Sequence, residues 1–465
     1  MALVRRAYEG LGNALSFANE FARAVETYEQ MLELARQNDD IVMQVSALNK
    51  LAFVVGLRLG QFPDAERALA DAEKLARTFE DKHGLSELST IRCMMCTAAA
   101  DFDGVLRYMG EAISLGRELN VAAQLAMGLG HIANTQMFMT RFAESAQTAK
   151  EALHLAREIG DRQREAEVIG MAVALTKLGT GNLDDAQYAA AQGRNIASQI
   201  GAVFPLIMTG WVLAEIARLR GDYTQAIAQY ERSLQFAKPM EQVMAFLMIQ
   251  PLASLGSTYV ELGGAHAARG YEMVSQALKL LDTPSGLSAG GTAWADIGFS
   301  ALAGGNLELA STVFQKGLQT PTMFQLYMRP RHLLGVALVA LAQERFDEAA
   351  RLLGEARTYA EERGMRHFYA PIALAEAQMA TAQGDHRGAL AACDRAQATA
   401  QELELRPALL AAHTAAAQAL AALGRAAEAA VRLTLARAVA DDIAAGIDDP
   451  DMRAKYLTNH PIGLS

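Results

Sequence analysis

The apolar positions near the start of the chain recur at steps of three and four residues. In residues 8–31 the first stripe is Tyr8, Leu11, Gly12 and Leu15, and it has a small residue where a second helix must come close. A second stripe follows after a short polar break and is carried by Ala24, Tyr28 and Met31. This spacing predicts two helices joined by a turn, which is a helical hairpin.

The same pattern returns along the whole chain. The small residue of the second helix recurs about every forty residues, an interval typical of stacked helical repeats, and the small residue of the first helix recurs in step with it. Gly followed by a polar residue ends one helix, and Asp or Asn offers a capping oxygen to the next. No run alternates apolar and polar residues as a strand does. We therefore predict an all-α solenoid of about eleven hairpins.

The hairpins are expected to fill residues 1–445, with a cap in residues 446–465. In this cap Pro450 opens a short helix whose Met452, Tyr456 and Leu457 cover the core. We expect a bend near residues 240–285, where a helix is either kinked at Pro251 or begins there. The other helix prolines, at Pro205, Pro330, Pro371 and Pro407, are expected near helix starts. The first hairpin has no covering segment, so we expect the natural chain to continue upstream.

Composition and charge restrict the partners and the cellular location that we expect for this solenoid. The net charge is −10, so no direct contact with nucleic acid is expected. Three cysteines among 465 residues indicate a reducing, cytoplasmic location rather than a disulfide framework. Two uncharged stretches, residues 243–260 and 407–424, approach the length of a membrane span. Both fall where the repeat requires a first helix and both carry polar residues, so no membrane partner is expected.

The motifs that would indicate catalysis are weak or absent. The chain has no phosphate-binding GxxxxGK[ST] loop. Gly128, Gly130 and Ala133 match a dinucleotide fingerprint only formally, because they lie within a predicted helix rather than after a strand. Cys93 and Cys96 form a lone CxxC at two packing positions of a first helix. We expect a protein that is not an enzyme and holds no metal and no cofactor.

The repeat resembles the tetratricopeptide repeat (TPR). The resemblance is carried by hairpins such as Leu11-Gly12 with Ala24, Tyr28 and Met31, and it covers nearly the whole chain. The repeats are longer than the usual 34 residues. In this they are similar to the superhelical sensor regions of bacterial signal-transduction ATPases of the maltose-regulon activator type, and to spindle-orienting scaffold proteins. The resemblance implies a right-handed superhelix with the first helices lining its inner face.

In this register some polar and Met side chains of the first helices face the inner surface. Asparagines at equivalent places are suited to hold a peptide backbone, and methionines give an adaptable apolar lining or else fill gaps between helices. Trp211, Glu215 and Arg218 mark the best-defined patch, and Asp296 and Phe299 fall on the same face. The predicted binding residues are Asn13, Asn49, Lys50, Met127, His131, Asn134, Met137, Met208, Trp211, Glu215, Arg218, Gln250 and Arg331.

Two functions remain open at this point. The first is a recognition module that binds a peptide, a protein partner or a small effector in a concave groove, as part of a bacterial signalling or transcription-regulatory protein. The second is a stand-alone assembly scaffold that self-associates as a homo-oligomer or bridges partners. The sequence does not identify the ligand.

Overall fold

The computed structural model describes residues 1–240, 246–282 and 290–459. Over these residues the chain is built from helices and contains no strand, which confirms the all-α prediction. The helices pair into eleven hairpins, numbered here in chain order, and one further helix follows them. The chain divides into two compact units. Unit 1 comprises Met1–Thr135 and Gln147–Arg164, and unit 2 comprises Gln136–Ala146 and the chain from Glu165 onward.

The first helices of the hairpins are about 17 residues long in most cases. Two of them contain a π-helical turn, at Val54–Arg58 and Ile169–Val173. Their bounds are Ala2–Phe17, Ile41–Phe53, Lys82–Ala98, Ala122–Phe138, Arg162–Val168 with Ala174–Gly179, Val203–Leu219, Phe246–Leu262, Ala293–Ala303, Gln325–Ala342, Tyr369–Ala382 and Arg406–Ala422.

The second helices begin after a turn of a few residues. Short 3₁₀ segments occur at Lys238–Met240 and Arg366–Phe368, and the last helix is Pro450–Asn459. The second helices are Phe21–Gln37, Phe62–Thr78, Phe102–Glu118, Phe142–Glu158, Leu183–Ile200, Tyr223–Ala237, Ala265–Leu281, Leu307–Gln319, Phe346–Glu362, His386–Glu402 and Ala426–Ala445.

The small residue of each first helix allows the close approach that the pattern predicts. A Cβ atom added at Gly12 would lie 2.4 Å from the ring of Tyr28, and one added at Gly298 would lie 2.4 Å from the ring of Phe314. Both aromatic side chains are fully buried. The aromatic ring of the second helix therefore occupies the space that a larger residue would need.

Most helices end at a residue in the left-handed conformation. Such residues recur about every twenty residues through the first half of the chain, from Asn19, Asp39 and Gly60 to Gly221. The next helix often begins with a side-chain cap, as where Asp101 accepts a hydrogen bond from the Gly104 amide at 3.0 Å. These two signals fix the turns at the positions that the sequence indicates.

Two prolines lie inside first helices rather than at their starts. Pro251 follows the beginning of its helix at Phe246, so the alternative in which the helix begins at Pro251 is wrong. Pro330 likewise lies inside Gln325–Ala342. A proline leaves the carbonyl four residues earlier without its helical donor, and the Tyr359 hydroxyl donates to the Leu326 carbonyl at 2.9 Å. The expected bend falls partly on residues 241–245 and 283–285, which lie outside the described residues.

The last helix packs against hairpins far from it in sequence. The rings of Tyr456 and Tyr223 lie 5.7 Å apart, and the Asn459 amide donates to the Leu262 carbonyl at 3.1 Å. Tyr456 and Met452 are buried, whereas Leu457, which was expected to cover the core, is 40% exposed. The helix therefore covers hairpins six and seven as well as the end of hairpin eleven.

One stretch among the described residues, Ile41–Arg58, has the length and apolarity of a membrane-crossing helix, with a mean hydropathy of 1.4, and half of it is buried within the protein. Residues 407–424 fall almost entirely on the first helix of hairpin eleven, where Ala416 and Ala417 are buried. The other uncharged stretch begins at residues 243–245, which lie outside the described residues.

Candidate functional site

Unit 2 contains a partly open cavity of about 550 Å³. Its lining comes from hairpins five to eleven, and nearly all of it from their first helices. Trp211, Phe299, Tyr327 and Phe368 give the cavity aromatic surface, and leucine and alanine side chains supply much of the rest. The volume lies within the range of pockets that hold small molecules.

Contacts between distant hairpins close this cavity. The His367 ring nitrogen lies 3.1 Å from the Gly179 carbonyl, and the Tyr327 hydroxyl donates to the Leu175 carbonyl at 3.3 Å. The Thr224 hydroxyl donates to the Gly446 carbonyl at 2.9 Å. The turns of hairpins five and six thus lie against the beginning of hairpin ten and the end of hairpin eleven, and the first helices between them surround the cavity.

Gly221 allows one of these approaches. Its φ is +74°, and an added Cβ atom would lie 3.1 Å from the Ile443 side chain. A larger residue would be strained at this φ and would also push hairpin eleven away. The neighbouring Arg220 carbonyl accepts a hydrogen bond from Arg406.

Charged side chains form a connected group on one side of the cavity. Asp296 is fully buried and accepts hydrogen bonds from Arg331 at 2.6 Å and from Ser254 at 2.6 Å. Arg218 lies 3.7 Å from the same carboxylate and donates to Glu215 at 3.1 Å. We call Glu215, Arg218, Glu261, Asp296 and Arg331 the charged cluster.

Two tyrosines attach the charged cluster to the second helix of hairpin six. Tyr230 donates to Glu215, and Tyr223 donates to Glu261 at 2.6 Å. Burial raises the pKa of both phenols well above 10, and the adjacent carboxylates raise it further. Both tyrosines therefore stay neutral and act as hydrogen-bond donors.

Ion pairing also keeps the buried members of the cluster charged. Burial alone would raise the pKa of Asp296, but Arg331 and Arg218 outweigh it and hold that pKa below its usual value. The carboxylates of Glu215, Asp296 and Glu261 likewise keep the pKa of Arg218 well above its usual value, despite its burial. Asp296 and Arg218 are thus full charges beside an apolar surface.

The predicted binding residues of unit 2 divide into two groups. Trp211, Glu215, Arg218 and Arg331 line the cavity. Gln250 lies beside it and donates to Ser254 at 2.7 Å. Met137 is fully buried and Met208 is half-buried, and neither lines the cavity. Met137 therefore fills space between the helices.

In unit 1 three of the predicted residues have partners on neighbouring helices. Asn49 is fully buried rather than exposed, since its amide donates to the Gly84 carbonyl at 3.0 Å. Lys50 pairs with Glu87 at 2.6 Å. Asn13 is exposed and accepts a hydrogen bond from Tyr28 at 2.8 Å. Two of the asparagines expected to hold a peptide backbone, Asn13 and Asn49, therefore already have partners within the protein.

The remaining predicted residues of unit 1 lie on the first helix of hairpin four. Met127, His131 and Asn134 are all half-buried. Burial, together with Arg164, lowers the pKa of His131 to about 4, so the imidazole is neutral at pH 7.

Most of the residues at the cavity were not among the predicted binding residues, and three of these belong to the charged cluster or lie against it. Glu261 and Phe299 line the cavity, and Asp296 organises the cluster from behind. Asp296 and Phe299 fall on the inner face in the repeat register, but their side chains carried no further signal in the sequence. Glu261 stands at the end of its helix, one position before Leu262, where the register gives no clear inner face.

Comparison with solved structures supports the fold class that the helices define, a TPR-like helical solenoid. A Rap protein complexed with competence and sporulation factor matches with a TM-score of 0.55 and 13% sequence identity, over 78% of this chain and 99% of that chain. At this identity the likeness concerns the fold alone.

A second solved structure matches over more of the chain but less closely. The APC/C hetero-tetramer Cut9-Hcn1 covers 98% of this chain and 96% of that chain at 14% identity, with a TM-score of 0.44, too low to support a conclusion. No protein-family model and no curated protein matches the sequence.

Proposed function

We propose that the protein is a non-enzymatic recognition module and that its ligand binds in the cavity of unit 2. The observation that carries the proposal is the cavity itself, with its volume of about 550 Å³ and its lining of aromatic and charged side chains from seven hairpins. Such a lining is typical of sites that bind small molecules. His367 is neutral and held by the Gly179 carbonyl, and the carboxylates of the charged cluster are engaged by hydrogen bonds or arginines.

The class of ligand follows from the cavity's size. A small effector or a short peptide segment fits about 550 Å³, whereas a folded protein partner would bind elsewhere on the surface. The Rap protein, whose solved complex holds competence and sporulation factor, shares this fold and supports binding by such a solenoid. The repeat length supports a place in a bacterial signalling or regulatory protein, similar to the sensor regions of signal-transduction ATPases.

The experiment blocks the cavity without disturbing the helices. Ala411 lines the cavity and is exposed, so Ala411→Trp fills the cavity while the helix surface stays free to accept the larger ring. Ala427→Trp is the matched control, since Ala427 is exposed on the second helix of the same hairpin and does not line the cavity.

Each protein is equilibrated with a small-molecule and peptide extract of the cells that produce it. Unbound material is removed by gel filtration, and retained compounds are identified by mass spectrometry. We expect the wild type and Ala427→Trp to retain the same compound and Ala411→Trp to lose it. Equal retention by all three proteins, or by none, would contradict the proposal.

A second candidate, self-association as a scaffold, is favoured by exposed apolar side chains. Leu3 and Leu11 on the first helix are 81% and 53% exposed, and Val431 on the second helix of hairpin eleven is 60% exposed. Analytical ultracentrifugation tests this candidate: Leu11→Glu and Val431→Glu should each convert an oligomer to monomers. A wild-type protein that stays monomeric at high concentration would exclude it.

A further inference from the structure

The charges around the cavity do not balance. The charged cluster has three carboxylates, Glu215, Glu261 and Asp296, and two arginines, Arg218 and Arg331, so its sum is one negative charge. His367 on the lining and His332 behind it add no positive charge at pH 7, because burial lowers the pKa of each to about 4. A carboxylate without a full positive partner attracts a cationic ligand.

The excess negative charge lies on Glu261. Asp296 and Glu215 each accept a direct hydrogen bond from an arginine, at 2.6 Å and 3.1 Å. Among the described residues, the arginine paired with Glu261 is Arg218, whose Nη1 lies 3.6 Å away, and the hydrogen bond to Glu261 comes from the neutral donor Tyr223. The Glu261 side chain is also the most open of the three, at 37% exposed against 9% for Glu215 and 0% for Asp296.

The surroundings of Glu261 favour an organic cation over a metal ion. Among the described residues no three His, Cys, Asp or Glu side chains are grouped closely enough to hold a metal. The cavity lining instead presents Trp211, Phe299 and other aromatic and aliphatic side chains. Aromatic faces attract cations, as where the Arg331 guanidinium lies 5.4 Å from the centre of the Phe299 ring.

We propose that the cavity binds a small organic monocation, an amine with an apolar body, whose ammonium group pairs with Glu261. The apolar body lies against the aromatic lining, and the ammonium supplies the charge that the cluster lacks. This inference rests on the proposed function and gives its ligand a chemical class. Glu261 is then the residue that sets specificity for charge.

Three probes with one apolar body and different end groups test the charge preference. They are 4-phenylbutylamine, 4-phenylbutanol and 4-phenylbutyrate, and isothermal titration calorimetry at pH 7 measures their binding. We expect the amine to bind at least about tenfold more tightly than the alcohol, and the carboxylate to bind most weakly, because of its repulsion by Glu261.

Glu261→Gln removes the charge and keeps an acceptor for Tyr223, so the variant should fold. It should lose the preference for the amine over the alcohol while its affinity for the alcohol stays unchanged. Glu272→Gln is the control, since Glu272 is exposed on the second helix of the same hairpin and does not line the cavity. Circular dichroism and thermal melting establish that both variants are folded.

Three results would overturn the inference: carboxylate binding as tight as amine binding, an amine preference that survives in Glu261→Gln, or no binding of any probe to the folded wild type. Failure of the proposed function has a different signature, which is retention of a cell compound that Ala411→Trp does not reduce. A cavity that retains a cell compound but prefers the alcohol or the acid keeps the proposed function and overturns this inference.

Discussion

The two units use the same repeat but place their polar side chains differently. In unit 1 the polar residues of neighbouring first helices satisfy one another, as Asn49 and Lys50 do with Glu87. In unit 2 equivalent helices carry a charged cluster beside a cavity, with Asp296 at its centre. The repeat alone therefore does not decide whether an inner polar residue is a structural contact or part of a site. In unit 2 the closure of distant hairpins decides it.

The largest expected effect tests whether the charged cluster is structural as well. Asp296→Asn leaves Arg331 without its carboxylate in a buried setting, and we expect a loss of about 3–5 kcal/mol in the free energy of unfolding. The unit 1 counterpart, Glu87→Gln, removes a half-exposed partner of Lys50 and should cost at most about 1 kcal/mol. Urea denaturation measures both. Equal losses in the two variants would mean that the charged contacts of the two units stabilise the fold to the same extent.

The next effect concerns the tyrosine that holds Glu261. Tyr223→Phe removes the hydrogen bond that buried Tyr223 donates to the partly exposed Glu261 carboxylate, and we expect a loss of about 1.5–3 kcal/mol in the free energy of unfolding. Urea denaturation of the whole chain, followed by circular dichroism, measures this loss. A loss below about 0.5 kcal/mol would mean that water replaces the hydroxyl and that the cluster is less dry than its burial indicates.

The stability of unit 2 is expected to depend on pH through His367. The pKa of buried His367 is about 4 in the folded chain and about 6.5 when unfolded, so the unfolded chain binds the proton first. Stability from this group is present above pH 6.5 and is lost as the pH falls toward 4, by about 1.4 kcal/mol per pH unit.

His367→Gln should therefore flatten the dependence of unfolding free energy on pH between 6.5 and 4. The unit 1 counterpart is His131→Gln, since the pKa of His131 is also lowered to about 4. Denaturant titrations at pH 7, 6 and 5 measure the slope for each variant against the wild type. A slope unchanged by His367→Gln would show that this imidazole is accessible to protons in the folded state.

A small effect on stability is expected at the surface of unit 1. Tyr28 donates to Asn13, a neutral and exposed acceptor, so Asn13→Ala should cost about 0.5–1.5 kcal/mol. Ligand retention by the cavity should be unchanged in this variant. Loss of ligand retention in Asn13→Ala would mean that unit 1 contributes to ligand binding. The two units would then not differ in this respect.

Much of the fold could be predicted from the sequence, because hairpins are specified by local signals. The forty-residue interval, the small residues opposite aromatic rings and the capping aspartates all act within one hairpin or between neighbours. Pro330 was misplaced because the hydrogen bond that satisfies its helix comes from Tyr359, on another helix. The spacing of residues within one helix does not show a hydrogen bond from a tyrosine on another helix.

The site was less accessible to prediction for the same reason. Trp211 and Arg218 could be predicted because a tryptophan and an arginine on the inner face of a first helix indicate a binding patch. Nothing in their spacing showed that a cavity lies in front of them, since that cavity depends on pairs such as Tyr327 with Leu175 and Thr224 with Gly446. Periodicity over forty residues does not reveal contacts between residues about 150 to 220 positions apart.

The packing of Tyr456 against Tyr223 has a consequence for how unit 2 unfolds. In most solenoids each repeat contacts its neighbours alone, so the ends fray first and unfolding spreads one repeat at a time. Here the last helix joins hairpins six and seven directly, so loss of the C-terminal end also exposes the middle of the chain. Unit 2 should therefore unfold in a single cooperative step. The contact between Tyr223 and Tyr456 forms only after the more than two hundred residues between them have been synthesised.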